Sequence, residues 1–371
     1  MTRVNRIAVA AGAAGALGAL AAAGRGVNES MGGVPVGARL ERVRRSPQWD
    51  GRKFRNRLEA PVGIPANQRE AMARFLRDSD ARKPGVDIPL LREVIDRPRD
   101  ELAVSWLGHA CAVIDVDGLR VLLDPVWSQR CSPTQRVGPR RLHPQPVTLP
   151  ELGQVDVVVI SHDHYDHLDM DTVKTLATTT SAVFLVPLGI GAHLERWGVG
   201  GDRVVELDWD ESHVVMSVTF TCVEAQHFSG RGLRRDGTLW GSWVVAGRTG
   251  RVFFSGDTGY FPGYDAIGRT HGDFDVALMA VGAYDPAWAS IHLNPEEAVQ
   301  ATVDLGGAPV LVPIHWCTFT LAPHPWAEPI ERLLVSGTDA GVRSYVPRLG
   351  ERVVPSVGLP SQPEWWRSPS T

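Results

Sequence analysis

Val157-Val158-Val159-Ile160-Ser161-His162-Asp163-His164-Tyr165-Asp166-His167-Leu168-Asp169 is the stretch on which the fold turns. An apolar, β-branched run of the kind buried in a sheet ends at Ser161, and His162, His164, Asp166 and His167 follow at once. His162 and His164, two apart, leave an extended backbone on the same side, while Asp166 and His167 turn towards a neighbouring point as the chain bends. One short loop can therefore feed two adjacent metal ions. Imidazole together with carboxylate suits zinc foremost and iron or manganese after it, because geometry and availability choose the metal more than raw affinity does. The plainer alternative is a surface loop that happens to be rich in His and Asp. It would need three of the chain's 12 histidines to gather by accident at one strand end.

This loop does not close two metal sites, so further ligands are expected at later strand ends. His227 follows the long apolar run Val214 to Val223, in Glu224-Ala225-Gln226-His227-Phe228. Asp257 follows Phe253-Phe254-Ser255-Gly256, where Gly256 and Gly259 allow a close backbone approach. His315 follows Val310-Leu311-Val312-Pro313-Ile314. A single histidine at a strand end is more often structural than a ligand. Three such residues, each immediately after an apolar strand, are what a sheet displaying its ligands along one edge would show.

Around these ends, short strand-like runs recur from Ala103 onward: Ala112 to Val116, Arg120 to Leu123, Val155 to Ile160, Val183 to Val186, Leu239 to Ala246, Arg251 to Phe254 and Val276 to Val281. Helical stretches sit between them at Met170 to Ala177, Ile190 to Trp197 and Pro295 to Leu305, the last with Asn294 as N-cap and Pro295 at the first helical position. Many strands interleaved with few helices predict an α+β chain of stacked sheets covered by helices.

The remaining features bound the partners. The chain has 371 residues, 43% hydrophobic and 22% charged, with a net charge of -4, which gives no reason to expect nucleic acid. Cys111, Cys131, Cys222 and Cys317 lie far apart without a C-x-x-C pair; an even count permits disulfides in an exported chain, and buried free thiols are the plainer reading. Residues 1–23 read as a signal-like or anchor segment: Arg3 and Arg6 precede an apolar run from Ile7 to Ala23 that ends in small residues, so the expected location is exported or membrane-associated, with a cytoplasmic chain as the alternative. Residues 24–99 form an Arg-, Pro- and Gly-rich extension expected to wrap the main domain, with one helix around Gln68 to Arg77. Its basic cluster, Arg39, Arg42, Arg44 and Arg45, is either a solvated face or a contact for anionic lipid. Residues 100–350 make the catalytic domain and 351–371 a C-terminal tail.

The order H-x-H-x-D-H, His, Asp, His resembles the metallo-β-lactamase superfamily. The surrounding sequence is similar, more narrowly, to N-acyl-phosphatidylethanolamine-hydrolysing phospholipase D and its bacterial relatives. The matching stretches include Trp106-Leu107-Gly108-His109-Ala110, Leu123-Asp124-Pro125-Val126-Trp127-Ser128, Val137-Gly138-Pro139-Arg140-Arg141, Leu239-Trp240-Gly241-Ser242-Trp243, Gly256-Asp257-Thr258-Gly259-Tyr260 and Ile314-His315-Trp316. Coverage runs from about Val104 to Pro329. The resemblance implies an αββα four-layer sandwich. It also implies that His162, His164 and His227 hold one metal, that Asp166, His167 and His315 hold the other, and that Asp257 bridges them. His292, in Ile291-His292-Leu293-Asn294, matches a histidine beside the substrate phosphate.

The expected function is two-metal, most naturally two-zinc, hydrolysis of a phosphodiester in a phospholipid such as N-acyl-phosphatidylethanolamine, giving phosphatidic acid and an N-acylethanolamine. Asp166 and His292 are the expected catalytic residues, Asp166 orienting a proton and His292 donating to phosphate. A lactonase, a nucleotide phosphodiesterase and a non-catalytic metal-binding envelope protein are the alternatives, because fold does not fix substrate. His109 is either a support behind the ligands or a histidine shaping a tight turn. Trp127, Phe228, Trp240, Trp316 and Phe319 are either an apolar approach for acyl chains or core packing. Arg130, Arg136, Arg140 and Arg141 are either head-group contacts at a membrane surface or a solvated loop.

Overall fold

A computed structural model describes residues 26–58, 73–75, 77, 79–95, 99–232, 235–307 and 309–367; the signal-like run and most of the helix expected around Gln68 lie outside them. Two sheets carry the fold. The first has seven strands: β1 (Ala103–Gly108), β2 (Cys111–Val116), β3 (Leu119–Leu123), β4 (Val157–Val159), β5 (Val183–Pro187), β6 (Val204–Leu207) and, paired on the outer edge of β1, β13 (Arg352–Val353). The second has six, in the order β12-β11-β10-β9-β8-β7: β7 (Ser212–Val215), β8 (Val218–Val223), β9 (Ser242–Ala246), β10 (Arg251–Phe254), β11 (Val276–Ala280) and β12 (Val310–Ile314).

The layering follows from the two-residue period of a strand. In β3, Val121 and Leu123 face the cluster between the sheets and Leu122 faces the other way; in β4, Val157 and Val159 face in and Val158 out. The outward set packs under α2 (Met170–Thr179) and α3 (Gly191–Arg196) through Val173, Leu176 and Leu194. On the second sheet, α4 (Tyr264–His271), α5 (Pro295–Leu305) and α6 (Glu328–Ala340) supply Tyr264, Ile267, Val299, Leu305, Ile330 and Leu333. Helix, sheet, sheet, helix is the αββα sandwich expected from the sequence. The start of α5 is fixed by a full capping box between Asn294 and Glu297.

Several local expectations are corrected. The run Val214 to Val223 is two strands, because the chain reverses at Met216, which has φ 52° and leaves Val215 paired with Val218. The run Leu239 to Ala246 becomes a strand only at Ser242: the amides of Leu239 and Gly241 bond to Leu188 and Ser161 instead, tying the second sheet to the loops of the first. Residues 351–371 are more than a tail, since β13 completes the first sheet and Trp366 is buried in the central core. In the extension, the basic cluster lies on α1 (Gly37–Arg45), where it divides: Arg39 bonds to Glu195 and Glu206 and Arg42 pairs with Glu211, while Arg44 and Arg45 are exposed. All four cysteines are free and buried. Among the described residues no helix is long and apolar enough to cross a membrane.

Candidate metal centre

The C-terminal ends of β4, β8, β10 and β12 converge on one edge of the sandwich, and each delivers part of one buried cluster. His162, His164 and His227 form one group, and Asp166, His167, His315 and His109 another, each with its nitrogen and carboxylate atoms close enough to share an ion. His162 Nε2 lies 2.8 Å from His164 Nδ1, and His227 Nε2 lies 3.3 Å from the same atom. In the other group His315 Nε2 is 3.1 Å from His167 Nε2 and 3.4 Å from Asp166 Oδ2. Two ligands at zinc distances on a tetrahedral ion stand about 3.3 Å apart, so these spacings fit cation-sharing.

Asp257 stands between the groups. Its Oδ2 is 3.2 Å from His167 Nε2, 3.8 Å from His227 Nε2 and 3.9 Å from His162 Nε2, and its Oδ1 is 3.0 Å from His315 Nε2. The loop that presents it needs both glycines. Gly256 has φ 54°, and a Cβ there would fall 2.5 Å from Ser161 Cβ; a Cβ on Gly259 would fall 2.2 Å from the Ser290 carbonyl oxygen. His109, Asp124 and His315 also carry positive φ, of 53°, 36° and 64°, so three non-glycine residues in sparsely populated backbone conformations surround the cluster.

The histidines are oriented from behind, which fixes their tautomers. His167 Nδ1 donates to Asp124 Oδ2 at 2.7 Å, His162 Nδ1 to Ser161 Oγ at 2.9 Å, and His227 Nδ1 to the Ile291 carbonyl at 2.9 Å. Ser161 in turn donates its hydroxyl and its amide to Asp124, at 2.5 and 2.7 Å. With the outward nitrogens of His162 and His227 protonated, the Nε2 lone pairs of both rings face His164 Nδ1, an arrangement that suits a shared cation. Burial opposes ionisation of Asp166 and Asp257, yet the imidazoles around them, His167 foremost, hold both carboxyls well below the usual range. Against the same burial, Asp257 above all raises His315 to about 9. The donor set fits two divalent cations.

His292 sits at the rim, its Nδ1 3.9 Å from Asp257 Oδ2 and without a hydrogen-bond partner, and burial pushes it down to about 4. Together with His227 and Asp257 it also makes a third group that could hold an ion. Both readings of His109 meet in the structure: it occupies a tight turn, and its Nε2 bonds Asp166 Oδ2 at 2.8 Å. Of the five aromatic residues, Trp240 and Trp316 are core, and Trp127 bonds the Val147 carbonyl at the margin of the core. Phe228 and Phe319 flank the cluster instead, Phe228 with its ring 4.4 Å from that of His164 and Phe319 5.2 Å from that of His109. Arg141 is buried over Phe319, whereas Arg136 and Arg140 are exposed.

Two supporting residues were not read from the sequence as part of the site. Asp124 follows β3 as Asp257 follows β10, so the same signal, a carboxylate directly after an apolar strand, could have found it. Asn56 has no such signal.

A family described as a beta-lactamase superfamily domain matches residues 119–316. An uncharacterised protein of Mycobacterium tuberculosis is 54% identical over 77% of this chain and 78% of its own length. N-acyl-phosphatidylethanolamine-hydrolyzing phospholipase D 1 of Caenorhabditis elegans is 39% identical over 62% of this chain and 68% of its own. Among solved structures, a metallo hydrolase from the archaeon Ignicoccus hospitalis shares the fold with a TM-score of 0.54 at 22% identity, over 68% of this chain and 97% of its own.

Proposed function

The chain belongs to the metallo-β-lactamase superfamily and is a metal-dependent hydrolase, and from that premise we propose that it is a two-metal phosphodiesterase acting on phospholipids such as N-acyl-phosphatidylethanolamine. On this reading His162, His164 and His227 hold the first cation, Asp166, His167 and His315 the second, and Asp257 both. The observation that carries it is the position of Asp257, with one carboxylate within 3.9 Å of imidazole nitrogens from both groups. Zinc suits this donor set best, with iron or manganese able to replace it.

When bound, the two cations supply an acidified water and a clamp on phosphoryl oxygen. The protein's own groups do the rest. Asp166, fixed by His109, takes up and orients the proton of the attacking water. His292, neutral at ordinary pH, has an unpartnered Nδ1 at the rim with which to donate to a phosphate oxygen. Part-exposed Phe228 stands against His164, and buried Phe319 packs with Val126, Cys131, Tyr165 and Leu321 beside His109; this apolar flank supports an acyl-bearing substrate over a purely polar one. Exposed Arg136 and Arg140 support contact with anionic head groups at a membrane surface.

A phosphodiester series of increasing acyl length tests the substrate class. Each methylene buried adds about 0.8 kcal/mol, so kcat/KM should rise about fourfold per CH₂ until the groove is full. Turnover of short soluble diesters that does not improve with chain length would contradict the lipid reading and leave the two-metal hydrolase standing. Preference for a nucleobase or for a lactone would do the same.

A further inference from the structure

The extension and the cluster meet at one side chain. Asn56 Nδ2 donates to the His227 carbonyl at 2.9 Å, and Asn56 Oδ1 accepts from the His227 amide at 3.1 Å and from Trp240 Nε1 at 3.0 Å. The carboxamide thus pairs with both backbone groups of one residue, as a neighbouring strand would, from 171 positions away in sequence. Its orientation is set by chemistry: flipped, it would put an NH₂ against two N–H donors and an oxygen against a carbonyl. The segment that carries it is held on both sides. Phe54 is buried in the core and its amide bonds the Asp236 carbonyl at 2.8 Å; Lys53 pairs with Asp236 at 2.8 Å, and Arg57 with Glu224 at 2.9 Å and Asp210 at 2.6 Å. These anchors bracket the 224–236 loop in which His227 lies.

We propose that Asn56 is a positioning residue of the first metal site: it fixes the backbone of His227 while the Ile291 carbonyl fixes its ring, and so the extension sets how tightly that site holds its cation. By contrast, Arg39 and Arg42 of α1 meet glutamates of the domain, Glu195, Glu206 and Glu211, rather than a proposed ligand. A ligand whose support is lost typically weakens metal binding or activity by about 10–100-fold. The effect should be confined to one site, because His167 is oriented by Asp124 and the His315 amide bonds the His109 carbonyl, contacts made within the catalytic domain.

The inference rests on the reading of His227 as a ligand, and the experiment separates the two. Zinc content and zinc affinity are measured on the purified full chain by titration against a chromophoric chelator, with the visible spectrum of the cobalt-substituted protein as a report on ligand geometry. Asn56→Ala should weaken one of two ions by about 10–100-fold, leave the other unchanged and alter the cobalt spectrum. Asn56→Asp, which keeps both acceptor contacts but sets a carboxylate oxygen against the His227 carbonyl, should also weaken that ion, and it carries the test should the alanine variant fail to fold. Arg57→Ala, which loosens the same segment but leaves the Asn56 contacts to His227 in place, should lose much less affinity than Asn56→Ala. Wild-type affinities in both Asn56 variants, or a loss in Arg57→Ala equal to that in Asn56→Ala, would overturn the proposal. His227→Ala retaining two ions would instead overturn the ligand reading beneath it.

Discussion

His167 and His227 both sit beyond the ends of apolar strands, and both aim Nε2 at Asp257, at 3.2 and 3.8 Å, yet they are held by different chemistry. His167 donates to a buried carboxylate, Asp124, which also steadies His162 through Ser161. His227 donates to a neutral carbonyl and takes its backbone support from a carboxamide in the extension. A charge-assisted bond is about twice as strong as a neutral one and makes the imidazole a better donor to a metal. On the proposed reading, the difference teaches that two histidines facing one carboxylate can be held by different means, one by charge built into the catalytic domain and one by a carboxamide supplied from the extension.

The most damaging way to break this comparison is to remove what the sites share. Asp257→Ala deletes the group lying between them and leaves two cations unscreened, so kcat/KM should fall by at least about 10³-fold, and metal content should fall at both sites. Retention of both ions in this variant would remove Asp257 from the bridge. Next in size is His292→Ala, expected to cut kcat by about 10²–10³-fold with metal content unchanged, since it lies at the rim rather than between the groups. Metal loss matching that of Asp257→Ala would place His292 among the ligands, in the group it forms with His227 and Asp257. The smallest effect sharpens the comparison rather than breaking it. Asp124→Asn keeps an acceptor for the Ser161 amide but loses the anion facing His167, and should weaken zinc about 10–100-fold at both sites, because Asp124 serves His162 as well. A loss confined to one ion would show that the path through Ser161 carries nothing.

What could be read from the sequence was what is local. A ligand after an apolar strand announces itself by residue type and position, so His162, His164, Asp166, His167, His227, Asp257 and His315 were legible as a set, and the structure brings all of them together. The helix Pro295–Leu305 was legible because cap, first-position proline and acidic first turn lie side by side. The illegible parts depend on partners distant in the chain. Helix α1 buries only Val43 and so shows no apolar stripe; its arginines acquire meaning only against Glu195, Glu206 and Glu211. The turn at Met216 was hidden inside a run that reads as one continuous strand. Asn56 looks like any polar residue of a loop until the fold lays it across His227.

The central claim, that these residues form a two-metal centre, is met most directly by elemental analysis of the freshly purified full-length protein alongside its activity before and after chelation. The account expects about two ions per chain, zinc foremost, with activity lost on chelation and restored by adding metal back. A folded, active protein with one ion or none would contradict it.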